Sequence, residues 1–184
     1  MPIDPLVELR DVLLETWAAN DAMHQLLLTH LNPKVWRAKA PAASARGGRT
    51  IAAIFSHLHN TRVAWLRNTA PHLESPALLN PTHSTIKQTS VALKKSSRQC
   101  LRMLTEALSF EPHRRVTKFV RDGYVKPWPA GATMFAYMFS HEAHHRGQII
   151  LLAHQLGYRL PVPAAYGIWH WEKLWKQQGF SKPR

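Results

Sequence analysis

Apolar residues recur at helical spacing in four long stretches of the chain. Residues three and four apart share one face of a helix, so each stretch predicts an amphipathic helix with a buried face. Asp4 and Pro5 form a typical N-cap and first-turn pair, Thr50 is a suitable N-cap for the second stretch, and Gly157 is a typical stop for the fourth. We predict helices over residues 5–31, 50–69, about 83–108, and 131–157.

Polar, proline-rich and glycine-rich segments separate the predicted helices. Asn32–Pro33 ends the first helix, and the small polar residues 37–50 that follow predict a loop. Between the third and fourth helices, apolar and polar residues alternate on either side of Asp122–Gly123. This pattern is typical of a short β-hairpin, and an irregular loop is the alternative.

The C-terminal tail is rich in aromatic residues at helical spacing. We predict a short amphipathic helix over about 164–178, whose tryptophan side chains close one side of the core. Four long amphipathic helices favour an all-α four-helix bundle, here with a short extra C-terminal helix. The length suits a single domain over residues 1–184. The aromatic residues of the tail are Tyr166, Trp169, Trp171 and Trp175.

Composition narrows the class of protein. Of the 184 residues, 45% are hydrophobic, which is enough for a packed core. Cys100 is the only cysteine, so an internal disulfide is excluded, and its leucine-rich surroundings predict a small buried side chain. The acidic N-terminal segment is unlike a signal peptide, and no stretch approaches the length of a membrane span. We expect a cytoplasmic protein without a membrane partner.

The chain is strongly basic, with 24 Lys and Arg against 11 Asp and Glu, a net charge of +13. Such a field attracts anions, including nucleic acid. The basic residues are nevertheless dispersed, as in Lys94, Lys95, Arg98 and Arg102, and no zinc-finger or helix-turn-helix spacing is present. Solvated basic faces are therefore the favoured interpretation, and a non-enzymatic protein that binds nucleic acid or another anion is an alternative.

The fourth predicted helix carries a candidate half of a metal site. His141 and His145 are four residues apart, so both imidazoles leave the same face of the helix. One divalent ion can bridge two such rings, and neutral imidazole suits Zn, Ni, Cu or Fe. Metal sites in bundles draw on facing helices, and the second helix offers His57 or His59 as a third ligand. Periodicity alone leaves that choice open.

The same residues also spell His-Glu-x-x-His, the motif of metalloproteases, with Glu142 as the candidate general base. The extended form of the motif requires a glycine and a third histidine where this chain has Gln148 and Leu151. No strand pattern supplies the sheet of a protease cleft. A metallohydrolase is therefore an alternative function, and the structural alternative for Glu142 is a surface carboxylate paired with Lys or Arg.

Three segments together carry a family resemblance. His57 is followed eight residues later by Trp65, and His145 is followed by Arg-Gly-Gln. With these motifs, the chain resembles the DinB/YfiT-like four-helix bundle proteins over nearly its whole length. Its departures from the family pattern are the extra imidazoles of His59 and His144. The segments are AIFSHLHNTRVAWL, SHEAHHRGQI and YGIWHWEKLW.

The resemblance implies a site of three histidines, His57, His141 and His145, with an open coordination position for water or substrate. It selects His57 over His59, and it implies a metal-dependent enzyme. By analogy with relatives of this fold, the reaction would be that of a transferase or isomerase that uses a low-molecular-weight thiol. We expect a divalent transition metal, Zn or Ni first and Fe or Mn as alternatives, a small-molecule substrate, and a homodimer.

Overall fold

The computed structural model describes residues 5–39, 48–108, 120–121, 124–125 and 131–179. In this part of the chain, four long helices form an all-helical bundle, which confirms the predicted fold class. The long helices are α1 (Pro5–His30), α2 (Ile51–Thr69), α3 (Ile86–Ala107) and α4 (Gly131–Gln155), and the short ones are α5 (Val162–Gly167) and α6 (Trp171–Gln177).

Local sequence signals set the ends of these helices. The Thr50 hydroxyl accepts a hydrogen bond from the backbone N–H of Ala53 at the start of α2. Thr85 and Gln88 form a reciprocal capping box at the start of α3. Gly157, which follows α4, has a φ of 82°, the left-handed conformation in which many helices end. Three of the four long helices therefore have an end that a local signal explains.

Short elements lie between the long helices. Between α1 and α2 the chain forms a 3₁₀ turn over Pro33–Val35. Strands β1 (Val120–Arg121) and β2 (Tyr124–Val125) pair antiparallel, with Val120 opposite Val125 and Arg121 opposite Tyr124. The predicted hairpin is thus present in its backbone pairing, while its turn at residues 122–123 lies outside the described residues.

The bundle core consists of two apolar clusters with polar residues between them. Leu27, Phe55 and Ile149 belong to the first cluster, and Trp17, Trp65, Leu104 and Met138 belong to the second. On each long helix, buried polar residues occupy the positions between the two clusters. They include Asn20, Asp21 and His24 on α1, Arg62 on α2, Ser96 and Ser97 on α3, and Glu142 and His145 on α4.

The tail differs from its prediction in two respects. It forms two short helices, and α5 ends at Gly167, a residue of low helix propensity whose position lies against Leu26. Tyr166 and Trp169 do not close the core, because they are 64% and 71% exposed. The buried residues of the tail are the aliphatic side chains Ala164, Ile168 and Leu174. Trp171 packs partly against the first cluster, and the side chain of Trp175 lies outside the described residues.

Cys100 is fully buried, as predicted, and burial raises the pKa of its thiol. Among the described helices, none combines the length and apolar character that crossing a bilayer requires.

Candidate metal centre

Three imidazole rings converge where α2 faces α4. The Nε2 atom of His141 lies 3.3 Å from Nε2 of His57 and 3.2 Å from Nε2 of His145. His57 comes from α2, and the other two histidines lie one helical turn apart on α4. Within the described part of the chain, these three residues form the one group whose ligand atoms are close enough together to share a metal ion.

The spacing of the nitrogen atoms fits a tetrahedral ion. A zinc ion with Zn–N bonds of about 2.0–2.1 Å holds two ligand nitrogens about 3.3–3.4 Å apart. The two observed Nε2–Nε2 distances are 3.3 Å and 3.2 Å. Three protein ligands leave the fourth tetrahedral position for water or substrate, as in catalytic zinc sites. The donor set and its spacing therefore fit a divalent transition metal.

Contacts around His145 orient its ring. Its Nδ1 lies 2.7 Å from Oε1 of Gln148, while the Gln148 amide nitrogen donates to Nε2 of His144 at 2.9 Å. An amide oxygen only accepts hydrogen bonds, so Nδ1 of His145 carries the proton and Nε2 presents its lone pair. Burial lowers the pKa of His145, which favours the neutral ring that a metal requires. His144, the extra imidazole, is not one of the three converging histidines. It accepts a hydrogen bond from the Gln148 amide that orients the His145 ring.

Aromatic side chains surround His141. The Trp65 ring meets it edge-on with centroids 5.4 Å apart, and the Tyr137 ring stacks on it at 6.4 Å. Trp65 is only 1% exposed. These rings restrict the orientation of the imidazole and provide an apolar side to the site.

The structure separates the two histidines of α2. His59 is fully buried, and its ring lies 3.1 Å from the Ser96 hydroxyl and 2.9 Å from the carbonyl oxygen of Ala77. Positions two apart on a helix point about 200° from each other, so His59 faces α3 when His57 faces α4. The structure therefore brings His57, and not His59, to His141 and His145.

Glu142 lies in the core and not at the surface. It is fully buried, and Arg62 binds both carboxylate oxygens, through Nε at 2.5 Å and Nη2 at 2.6 Å. Asn20 donates a further hydrogen bond of 2.5 Å. Burial alone would raise the pKa of Glu142, but the Arg62 guanidinium outweighs this and holds the pKa below its usual range. The structural alternative of a surface carboxylate is therefore wrong about the location of Glu142, whereas its pairing with a basic residue is correct.

Sequence reasoning missed the groups that hold Glu142. Arg62 also donates to the Asp21 carboxylate at 2.8 Å and to the carbonyl oxygen of Leu93 at 3.1 Å. Asn20 accepts a hydrogen bond of 2.5 Å from Arg146, the residue after His145. These polar side chains replace apolar ones at core-facing positions, and that replacement is the signal that could have found them.

Comparison with known proteins places this geometry in a family. None of the proteins with curated functions is similar enough to the chain to count as a match. The model of the DinB family matches residues 6–178, which include all four long helices almost completely and all three converging histidines. Since this match covers nearly the whole chain, the protein with this three-histidine bundle belongs to the DinB family.

Proposed function

We propose that the protein is a metal-dependent enzyme in which His57, His141 and His145 hold one divalent transition metal ion. The convergence of their three Nε2 atoms, at spacings of 3.2 Å and 3.3 Å, is the observation that carries the proposal. Imidazole donors favour Zn or Ni, and Fe or Mn is an alternative. We further propose that the chain is one domain and that two copies form a homodimer.

Three neutral imidazoles bring no negative charge to the site, so an anionic ligand is favoured at the remaining position. A divalent ion there would supply Lewis acidity and could lower the pKa of a bound water to about 7 in the best cases. A thiolate is held by the same charge. This chemistry, with the family resemblance, supports a transferase or isomerase that acts on a small molecule with a low-molecular-weight thiol.

The surrounding residues prepare the site for such chemistry. Gln148 fixes the proton of His145 on Nδ1 and leaves Nε2 for the metal. Trp65 and Tyr137 limit the access of water to the His141 side of the site. A ligand ring that is held in place and partly desolvated binds its ion with less loss of conformational freedom.

The metallohydrolase alternative depends on Glu142 acting as a general base. A base must reach the water that it deprotonates and must have a pKa near the working pH. Both carboxylate oxygens of Glu142 are instead occupied by Arg62, and the guanidinium lowers the pKa of the group. These contacts count against hydrolysis by a His-Glu-x-x-His mechanism.

Metal binding by matched histidine variants tests the proposal. The protein is purified without a His tag, stripped of metal, and titrated with Zn²⁺ or Ni²⁺ in a calorimeter. We expect one ion per wild-type chain and a loss of tight binding in His57→Ala and His145→Ala. His59→Ala is the control: it removes two buried hydrogen bonds and lowers stability, but it leaves the ion bound.

The thermal stability of the same proteins separates a catalytic from a structural ion. A His57→Ala variant that loses the ion but keeps its helical circular dichroism and melting temperature supports a catalytic site. Absence of stoichiometric binding in the wild type, or full binding in His57→Ala, would contradict the proposed site.

A further inference from the structure

We infer that Asn20 and Arg62 are positioning residues that set the geometry of the three histidines. This inference rests on the proposed metal site and concerns what holds its ligands in place. The groups involved form a polar layer, which we define as Asn20, Asp21, Arg62, Glu142 and Arg146. The first four are buried and Arg146 is half-buried.

Two residues of the layer lie next to the α4 ligands in the sequence. Glu142 directly follows His141, and Arg146 directly follows His145. Consecutive residues on a helix point about 100° apart, so the two histidines face α2 while the residues after them face α1. Asn20 of α1 holds both of those residues, donating to Glu142 and accepting from Arg146, each at 2.5 Å.

Two contacts one helical turn apart fix the rotation of α4 about its own axis. If α4 rotated by roughly 20°, an atom at a side-chain radius of roughly 5–6 Å would move by about 2 Å. Metal sites tolerate deviations of only about 0.2 Å in their bond lengths. The two hydrogen bonds of the Asn20 side chain therefore control whether His141 and His145 present their Nε2 atoms at an angle that a metal ion can use.

Arg62 sets the distance between α2 and α4. Arg62 lies five residues after His57 and binds Glu142 through two nitrogen atoms. A planar guanidinium that binds a carboxylate at two points fixes both separation and orientation. The same side chain reaches Asp21 on α1 and the backbone of Leu93 on α3, so it links all four long helices.

Directional contacts are needed here because apolar packing alone would allow other helix registers. Arg62 and Glu142 are both fully buried, and a shifted register would leave these charges without partners. The network thus penalises arrangements in which His57 is displaced from the α4 pair. Its role toward the ion is indirect, since none of the layer residues is proposed as a ligand.

Metal affinity measured on two variants tests the inference. Asn20→Leu has a similar volume and lacks both hydrogen bonds, and Arg62→Lys keeps the charge but lacks the two-point contact. Loss of a direct partner of a metal ligand typically weakens binding about 10–100-fold. Asn20 and Arg62 act through the residues next to the ligands, so we expect a weakening at the lower end, about 10-fold, for Zn²⁺ with each variant. We also expect the visible spectrum of bound Co²⁺, which reports coordination geometry, to change in both.

Leu104→Ala is the control for a loss of stability alone. Leu104 is fully buried in the second apolar cluster on α3, so its truncation lowers the melting temperature. Its Zn²⁺ affinity and Co²⁺ spectrum should equal those of the wild type. If Asn20→Leu and Arg62→Lys behave like this control, with lower melting temperatures but unchanged affinity and spectrum, the layer is only structural and the inference is wrong. Failure of the wild type to bind metal would instead contradict the proposed function.

Discussion

At the scale of single residues, His24 is the most unusual titratable group of the core. It is fully buried, and its Nδ1 lies 3.6 Å from a carboxylate oxygen of Glu142. Glu142 and Arg146 face it from α4, and Arg62 faces it from α2. Burial lowers the pKa of His24 to about 3; the Glu142 carboxylate opposes this shift, and the two arginines add to it. The ring is therefore neutral in the folded protein at neutral pH.

This neutral ring predicts a specific loss of stability in acid. The unfolded chain protonates His24 below about pH 6.5, whereas the folded protein does so only near pH 3. Between these values the unfolded state binds more protons than the folded state does. Protonation of this one residue therefore lowers the free energy of unfolding by up to about 1.4 kcal/mol for each unit by which the pH falls. We expect metal-free His24→Leu to lose stability less steeply than the wild type in urea unfolding between pH 6.5 and 4.5. Parallel curves for the two proteins would contradict this.

The buried polar residues could have been predicted more fully from the sequence. The apolar stripe of α1 contains Trp17 and resumes at Leu27, and the core-facing positions between them hold Asn20 and His24. Glu142 has the same relation to the apolar residues of α4. Periodicity alone identifies the buried position, but it does not say which charged group of another helix lies opposite. The partner of Glu142 could therefore be identified only from the packed structure.

At the scale of elements, α4 has two glycines in opposite situations. A Cβ atom at Gly131 would lie 2.1 Å from the carbonyl oxygen of Ala107 at the end of α3. A Cβ atom at Gly147 would have nothing within 4 Å. The first glycine permits a close approach of two helices, while the second only leaves an exposed helix position without a side chain.

The two glycines give a matched pair of substitutions on one helix. Gly131→Ala forces the start of α4 away from α3, and we expect it to lower the free energy of unfolding by about 1–3 kcal/mol. Gly147→Ala removes the low helix propensity of glycine and should raise that free energy by about 0.5–1 kcal/mol. Urea unfolding of the metal-free variants at neutral pH measures both values. Equal effects of the two substitutions would show that the approach of α3 and α4 is not limited by Gly131.

The long helices were predictable because their periodicity and caps are local properties of the sequence. Periodicity did not choose between His57 and His59, since both flank the same apolar stripe and only the neighbouring helix distinguishes them. The family resemblance made that choice. The aromatic tail was misjudged for a related reason. An aromatic stripe indicates an amphipathic helix, but the aliphatic residues between its members can supply the buried face, as Ile168 and Leu174 do here.

At the scale of the whole molecule, the charge is distributed between two environments. The polar layer in the core combines arginines with carboxylates, whereas other basic residues of the described helices are exposed. The outer face of α3 illustrates this, because its basic residues lie on successive turns and are exposed. These residues are Lys87, Lys94, Lys95, Arg98 and Arg102.

The exposed face of α3 allows the nucleic-acid alternative to be tested separately from the metal site. With roughly four phosphate contacts, affinity for DNA falls about 100-fold between about 50 and 200 mM salt. We therefore expect weak binding to a random duplex in a fluorescence anisotropy titration at low salt and no firm binding at about 150 mM. A Lys94→Glu/Arg98→Glu variant should lose the low-salt binding and keep full metal affinity, since neither residue belongs to the metal site. Tight wild-type binding at about 150 mM salt that this variant abolishes would favour a nucleic-acid function, because purely non-specific contacts are too weak at that ionic strength.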